Sequence, residues 1–153
     1  MLIIREDAEL KRFVFIASGR VIAKDGQSPL TRTVANGTTR LGFGVLTGTT
    51  INKKMERTYQ TINCAVYSNN WGNIIYDAAL TLKKNDPIFI CGYKHEGVYT
   101  DQATGEQKRS TEYRLEFLLP MKAFAKCLKA VDEETLPTIM KKTEIDEDDG
   151  CSF

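Results

Sequence analysis

The chain has a single histidine, His95, and four scattered cysteines, Cys64, Cys91, Cys127 and Cys151, with no C-x-x-C pair. Structural zinc needs four convergent thiolate or imidazole ligands, and this spacing excludes such a site. His95 has no nucleophile or carboxylate at a suggestive distance along the chain and reads as a solvated strand-end residue, not a general base. There is no phosphate-cradling glycine loop, since Gly42-Phe43-Gly44 falls inside a strand pattern and opens no helix. The densest acidic cluster lies in the tail, where no scaffold would hold a metal. Neither an enzyme, a metal nor a cofactor is expected. No apolar run approaches a membrane span, and Met1–Asp7 carries charge too early for a signal peptide, so a cytoplasmic chain without a membrane partner is expected.

What is present is ordinary for a soluble domain: 153 residues, 42% hydrophobic and 27% charged, enough for one core with appendages. The net charge of +1 conceals a division. Residues 1–131 carry a net of +7 and residues 132–153 a net of −6. A basic body with an acidic tail suggests a polyanion for the body and a different partner for the tail. The tail closes on Asp146, Glu147, Asp148 and Asp149, followed by Gly150-Cys151-Ser152 and Phe153. Four carboxylates cannot be buried, and a final phenylalanine gains nothing in water. Two readings stand: a bait peptide steered by charge and anchored by its ring, or a solvated acidic end.

Along the chain, residues 1–12 form an N-terminal arm, a short helix or a segment that pairs with a neighbouring subunit. Phe13–Lys24 is rich in strand formers, with Gly19 marking a bulge or bend. Asn36-Gly37 between apolar segments is a hairpin signal. Leu41, Phe43 and Val45 share one face of the next strand, and Gly42, Gly44 and Leu46 the other. Residues 47–57 read as a mobile basic hairpin tip. In the strand after it, Ile62, Cys64 and Val66 face one way and Tyr59, Thr61, Asn63, Ala65 and Tyr67 the other. Cys64 and Cys91 both read as core. Asn69 and Asn70 are caps for a helix over 71–83, where Trp71 has a packing role. Residues 88–93 form a buried strand, 99–108 a hairpin loop, 111–119 the last strand and 121–131 a second helix.

Three strands, a helix and two more strands make the layout of a mainly β, five-stranded OB barrel with a helix between strands 3 and 4. The expected division is an arm at 1–12, the barrel at 13–120, a short partly helical linker at 121–145 and an acidic tip at 146–153.

On such a barrel the aromatic and basic residues suggest chemistry. Single-stranded nucleic acid is held by ring faces on which bases stack, with cations along the phosphates. Tyr59 and Tyr67 lie on the polar face of the third strand, with Lys53, Lys54 and Arg57 in the loop before it. The second long hairpin offers Tyr93, Lys94, Tyr99, Lys108, Arg109, Tyr113 and Arg114. Each tyrosine could equally be there because aromatics pack well in strands.

Several segments in order resemble the bacterial-type single-stranded DNA-binding protein family. Ser18–Asp25 is similar to its first strand, Ala35-Asn36-Gly37-Thr38 to its following hairpin, and Thr61–Tyr67 to its third strand, which ends in an aromatic residue. Tyr76–Asn85 resembles its helix. Cys91-Gly92-Tyr93, Tyr99–Gly105 and Ser110-Thr111-Glu112 resemble its fourth strand, long hairpin and fifth strand. The acidic run closing on Phe153 resembles its terminus, although Cys151-Ser152 stands where the family has an apolar residue and proline. The family's long linker is replaced by the short segment 121–143.

The resemblance implies sequence-independent binding of single-stranded DNA in replication, recombination, repair or transfer. Tyr59, Tyr67, Tyr93 and Tyr99 would be the stacking residues, and Arg20, Arg40, Lys53, Lys54, Arg57, Lys94, Lys108 and Arg109 the phosphate path. Asp146–Asp149 and Phe153 would recruit replication and recombination proteins. A homo-oligomer, tetramer or dimer, is implied, and RNA is a close variant of the ligand. The rival expectation is an OB-fold interaction scaffold of a replication or conjugation complex with only general nucleic-acid binding.

Overall fold

Period-two alternation of apolar and polar residues turns most of the first 120 residues into strands. The computed structural model describes residues 1–68 and 74–134, the side chains of 130–134 excepted. In chain order the elements are β1 (Leu2–Asp7), β2 (Arg12–Ile22), β3 (Thr31–Ala35), β4 (Thr38–Ile51), β5 (Arg57–Tyr67), α1 (Ile74–Leu80), β6 (Pro87–Thr100), β7 (Gln107–Pro120) and α2 (Met121–Glu134). The chain falls into two compact units, 1–120 and 121–153.

In the first unit, β2, β6, β7, β5 and β4 pair in that order and β4 returns to β2, so five strands close a ring. All its pairings are antiparallel except β5 with β7. Closure depends on two glycines. β2 pairs with β6 over Phe13–Arg20 along one edge and with β4 over Arg20–Ile22 along the other, so Arg20, next to Gly19, is held on both sides. A Cβ on Gly19 would stand 2.2 Å from the Leu46 carbonyl oxygen, and one on Gly92 would stand 1.9 Å from that of Arg114. No side chain fits at either approach. Gly92 also lies at an irregularity in the β6–β7 register.

The inward faces fill the barrel with Phe15, Val21, Leu41, Phe43, Val45, Ile62, Cys64, Val66, Ile88 and Ile90. Tyr113 meets Phe15 edge-on at 4.9 Å, a favourable aromatic geometry. It is buried and is therefore a core residue, not part of the basic hairpin surface. α1 lies between β5 and β6 in sequence and packs on the barrel through Tyr76 and Ala79. Residues 69–73, with Asn69, Asn70 and Trp71, lie outside the described residues.

Several expectations change. Residues 2–7 are not a helix. They form β1, which pairs antiparallel with residues 12–17 of the same chain. Asp7 Oδ1 accepts hydrogen bonds from the amides of Glu9 and Leu10, both at 3.1 Å, which closes the turn between the two strands. β3 adds a further edge strand to β4. The Asn36-Gly37 turn has both residues at positive φ, 50° and 75°, as a tight two-residue hairpin requires. Cys64 is buried in the core, and burial raises its thiol pKa. Cys91 is only half-buried, because it pairs with Ile16 and Phe117, both exposed. His95 lies within β6, not at its end.

The described part of the second unit is α2. Met121, Phe124, Ala125 and Leu128 recur at helical spacing and line one stripe, with Lys122, Lys126 and Lys129 off it. The acidic tip, Asp146–Phe153, lies outside the described residues. Among those described, no helix is long and apolar enough to cross a membrane.

Candidate nucleic-acid interface

Cross-strand partners share a face, and on β4 and β5 the outward pairs are Arg40–Tyr67, Gly42–Ala65, Gly44–Asn63 and Leu46–Thr61. A cleft of about 450 Å³ opens over this face. Its lining includes Gly42, Gly44 and Asn63, with Pro29 and Thr31 from before and within β3 and Ser110, Thr111 and Glu112 from β7. The Arg40 side chain lies over Gly42, where a Cβ would stand 2.6 Å from its Nη1. Gly42 thus leaves room for both the cleft and the guanidinium.

Beside the cleft Glu112 organises a cluster. Its Oε1 accepts from the Tyr67 hydroxyl at 2.6 Å and from Arg114 Nε at 3.2 Å. Its Oε2 accepts from Arg40 Nε at 3.1 Å and lies 3.0 Å from Arg40 Nη2. Burial works to raise the Glu112 pKa, but the Tyr67 hydroxyl and the Arg40 and Arg114 guanidinia outweigh it and hold the carboxyl below its usual range. Burial, then Glu112, pushes the Tyr67 hydroxyl above its ordinary value. Burial opposes the Arg114 charge, but Tyr93, Tyr67 and Glu112 overcome it and raise its pKa.

The cluster continues across the sheet. Arg114 Cζ stands 5.1 Å from the Tyr67 ring centroid, and Tyr93 lies directly across from Arg114 in the β6–β7 register. Arg12 Cζ stands 4.7 Å from the Tyr93 ring, while its Nη1 donates to Glu116 Oε1 at 3.1 Å. Arg114 belongs to the basic residues expected near the second hairpin. Arg12, Glu112 and Glu116 were not foreseen. The alternation of Glu112, Arg114 and Glu116 shows that they share a face, but not which rings and cations face them from other strands.

Two hairpin arms extend beyond the ring. From Gly48–Gln60 to Ile51–Arg57, β4 and β5 pair only with each other, and so do β6 and β7 from His95–Glu112 to Thr100–Gln107. The tip between β4 and β5 is closed by hydrogen bonds of its own. Asn52 Oδ1 accepts from the amides of Lys54 and Glu56, both at 2.9 Å, and its Nδ2 donates to Glu56 Oε2 at 2.6 Å. On these arms Tyr59 is 58% and Tyr99 51% exposed. They are the open ring surfaces, whereas Tyr67 and Tyr93 are half-buried under guanidinia.

The expected cations divide in the same way. Lys53, Lys54 and Arg57 on the first arm, and Arg20 on β2, are exposed and make no ion pair among the described residues. Arg20 pairs with Leu46, at the far end of the β4 face from Arg40. Arg40 is engaged by Glu112, and Lys108 by Asp101. Lys94 pairs with Glu96 at 2.7 Å, stands over Phe13, and belongs to the alternation opposite to Tyr93. Arg109 lies on that same alternation, and its charge helps to lower the Glu96 pKa, after the larger effect of Lys94. Among the described residues no group of three His, Cys, Asp or Glu side chains could hold a metal ion.

No protein-family model matches the chain, and no curated protein matches its sequence. Among solved structures it is similar to a Plasmodium falciparum SSB complex with ssDNA, at 17% identity over 69% of this chain and 89% of that one, with a TM-score of 0.52. It is also similar to a small single-stranded DNA-binding protein from Streptomyces coelicolor, at 17% identity over 71% and 94% of the two chains, with a TM-score of 0.47. The closed five-strand ring of residues 1–120 thus has the OB fold of the single-stranded DNA-binding proteins.

Proposed function

We propose that this protein binds single-stranded DNA with little sequence preference and catalyses no reaction. One observation carries the reading: open tyrosines and unengaged cations share the hairpin arm beside a polar cleft on this fold, as Tyr59 does with Lys53, Lys54 and Arg57. Rings stack any base, and the cations follow the backbone. The likeness to a structure of an SSB bound to ssDNA supports the same ligand. The arrangement tolerates RNA as well, since stacking does not read the sugar.

The finer parts of the reading are replication, recombination, repair or transfer as the setting, and recruitment of partner proteins by Asp146–Asp149 and Phe153. A homo-oligomer is also part of it, supported by Ile3, Ile16 and Phe117, which are exposed on neighbouring strands of the β1–β2–β6–β7 sheet.

Titration of intrinsic fluorescence with dT oligomers of several lengths, at low and high salt and with duplex as competitor, tests the binding. Tight, salt-sensitive binding that prefers single strands is expected. Binding no tighter than to duplex means a general basic surface, and no binding favours the protein-interaction scaffold. Deleting residues 146–153 should leave DNA binding intact and abolish capture of replication proteins. Capture that survives the deletion removes the tail from the reading.

A further inference from the structure

We propose that Tyr67, Arg114, Tyr93 and Arg12 form one base-stacking strip across β5, β7, β6 and β2, in which the guanidinium planes are stacking surfaces and not phosphate contacts. The inference rests on the single-stranded DNA reading above and names a path for the bases beyond the open arms.

The four side chains alternate ring and guanidinium. Arg114 lies 5.1 Å from the Tyr67 centroid and Arg12 lies 4.7 Å from that of Tyr93, while the register sets Tyr93 directly opposite Arg114. On β2, Val14 pairs with Tyr93, so Arg12, two residues away, lies on the same face. The strip therefore crosses the strands instead of running up one arm.

The charges of both arginines are already engaged. Glu112 takes Arg114 Nε at 3.2 Å and Glu116 takes Arg12 Nη1 at 3.1 Å. A phosphate approaching either cation would meet a carboxylate first. Guanidinium hydrogen bonds lie in the plane of the group, whereas stacking uses the faces, so a paired arginine can still stack. About 30% of each arginine side chain is open to solvent, 31% for Arg12 and 30% for Arg114. Lys53, Lys54 and Arg57 make no such pairs among the described residues and are left for the backbone. The strip thus takes bases without phosphates, whereas the arm holds a ring, Tyr59, beside its cations.

Arginine-to-lysine substitutions separate the two roles, because lysine keeps the charge and loses the plane. Binding of dT oligomers across a salt series is measured for the full chain and for Arg114→Lys, Arg12→Lys and Arg32→Lys, each checked for folding by circular dichroism. Arg114→Lys and Arg12→Lys are each expected to lose about fivefold in affinity, the low end of a lost stacking contact, with the salt slope unchanged. Arg32, exposed on β3, belongs to neither the strip nor the proposed phosphate path, and Arg32→Lys should bind like the parent. The carboxylate that Arg12 engages is 52% exposed, against 18% for that of Arg114, so the Arg12 variant reports even where Arg114→Lys fails to fold. Photo-crosslinking of the unaltered chain to oligomers carrying 5-iodouracil should label peptides containing Tyr67 and Tyr93. Lysine variants that bind like the parent, or labelling confined to Tyr59 and Tyr99, would overturn the strip while leaving DNA binding in place. A parent chain that binds no oligomer overturns the strip and the functional reading together.

Discussion

The Tyr67 hydroxyl donates to the Glu112 carboxylate at 2.6 Å, joining β5 to β7 across 45 residues of chain. The same carboxylate engages Arg40 and Arg114. A negative charge at the centre of the proposed DNA-binding surface opposes binding by itself. Here it aligns one ring and two guanidinia and cancels charge that phosphates would otherwise seek.

Replacing Glu112 by glutamine keeps an acceptor for Tyr67 and removes the charge. Stability should fall by about 1 kcal/mol, the scale of a partly solvated charged hydrogen-bond group. The dependence of dT affinity on salt should steepen by roughly 0.7 per released guanidinium. Thermal unfolding and a salt series check the two parts, and an unchanged slope would mean that Arg40 and Arg114 do not reach phosphates even when freed.

The four tyrosines should not behave alike. Tyr59→Ala and Tyr99→Ala should each cost about 1–3 kcal/mol of binding with little change in stability, because both rings are more than half exposed. Tyr67→Ala should lower both, since it also removes the bond to Glu112. Parallel dT titrations and melting curves separate the cases.

Gly92→Ala should destabilise the barrel by about 2–3 kcal/mol, at the upper end for overpacking. Its Cβ would meet the Arg114 carbonyl oxygen at 1.9 Å and the Glu116 amide nitrogen at 3.0 Å. The β6–β7 backbone must then part beneath Tyr93 and Arg114, so DNA affinity should fall as well. Gly37→Ala is the contrast: it meets no atom within 4 Å but has a φ of +75°, so it should cost about 1 kcal/mol of backbone strain and leave binding unchanged.

The Tyr67–Glu112 pair should also appear as a pH window. The folded-state pKa of Glu112 is depressed below 4.5, so its contribution is present above that value and is lost as the pH falls through the folded pKa. The folded-state pKa of Tyr67 is raised above 10.0, so its contribution is present below that value and is lost as the pH rises through the folded pKa. The difference in melting temperature between the parent and Glu112→Gln should be flat from about pH 5 to about pH 9 and shrink at both ends. Asp25, Glu96 and Asp101 also have lowered pKa values, and subtracting the variant removes their common effect. A difference that does not change with pH would remove Glu112 from the titration.

Signals between near neighbours in the chain were enough to find the strands, the Asn36-Gly37 hairpin and the inward set of Ile62, Cys64 and Val66. Each depends on alternation or on one residue's backbone freedom, and both are local. The sequence by itself also determined the charge division between body and tail, which is a matter of composition. Tertiary structure decided which cations stay available. Arg40, Lys94 and Lys108 look like Lys53 and Arg57 in sequence, yet the first three meet Glu112, Glu96 and Asp101. Arg40 and Glu112 are 72 residues apart, and only ring closure brings β4 and β7 to a common face. Tyr113 and Tyr93 are both strand tyrosines, but pairing with Cys64 turns the first into the core, and pairing with Arg114 puts the second on the outer face. Alternation tells which residues of one strand share a side, whereas register between distant strands decides what they meet there.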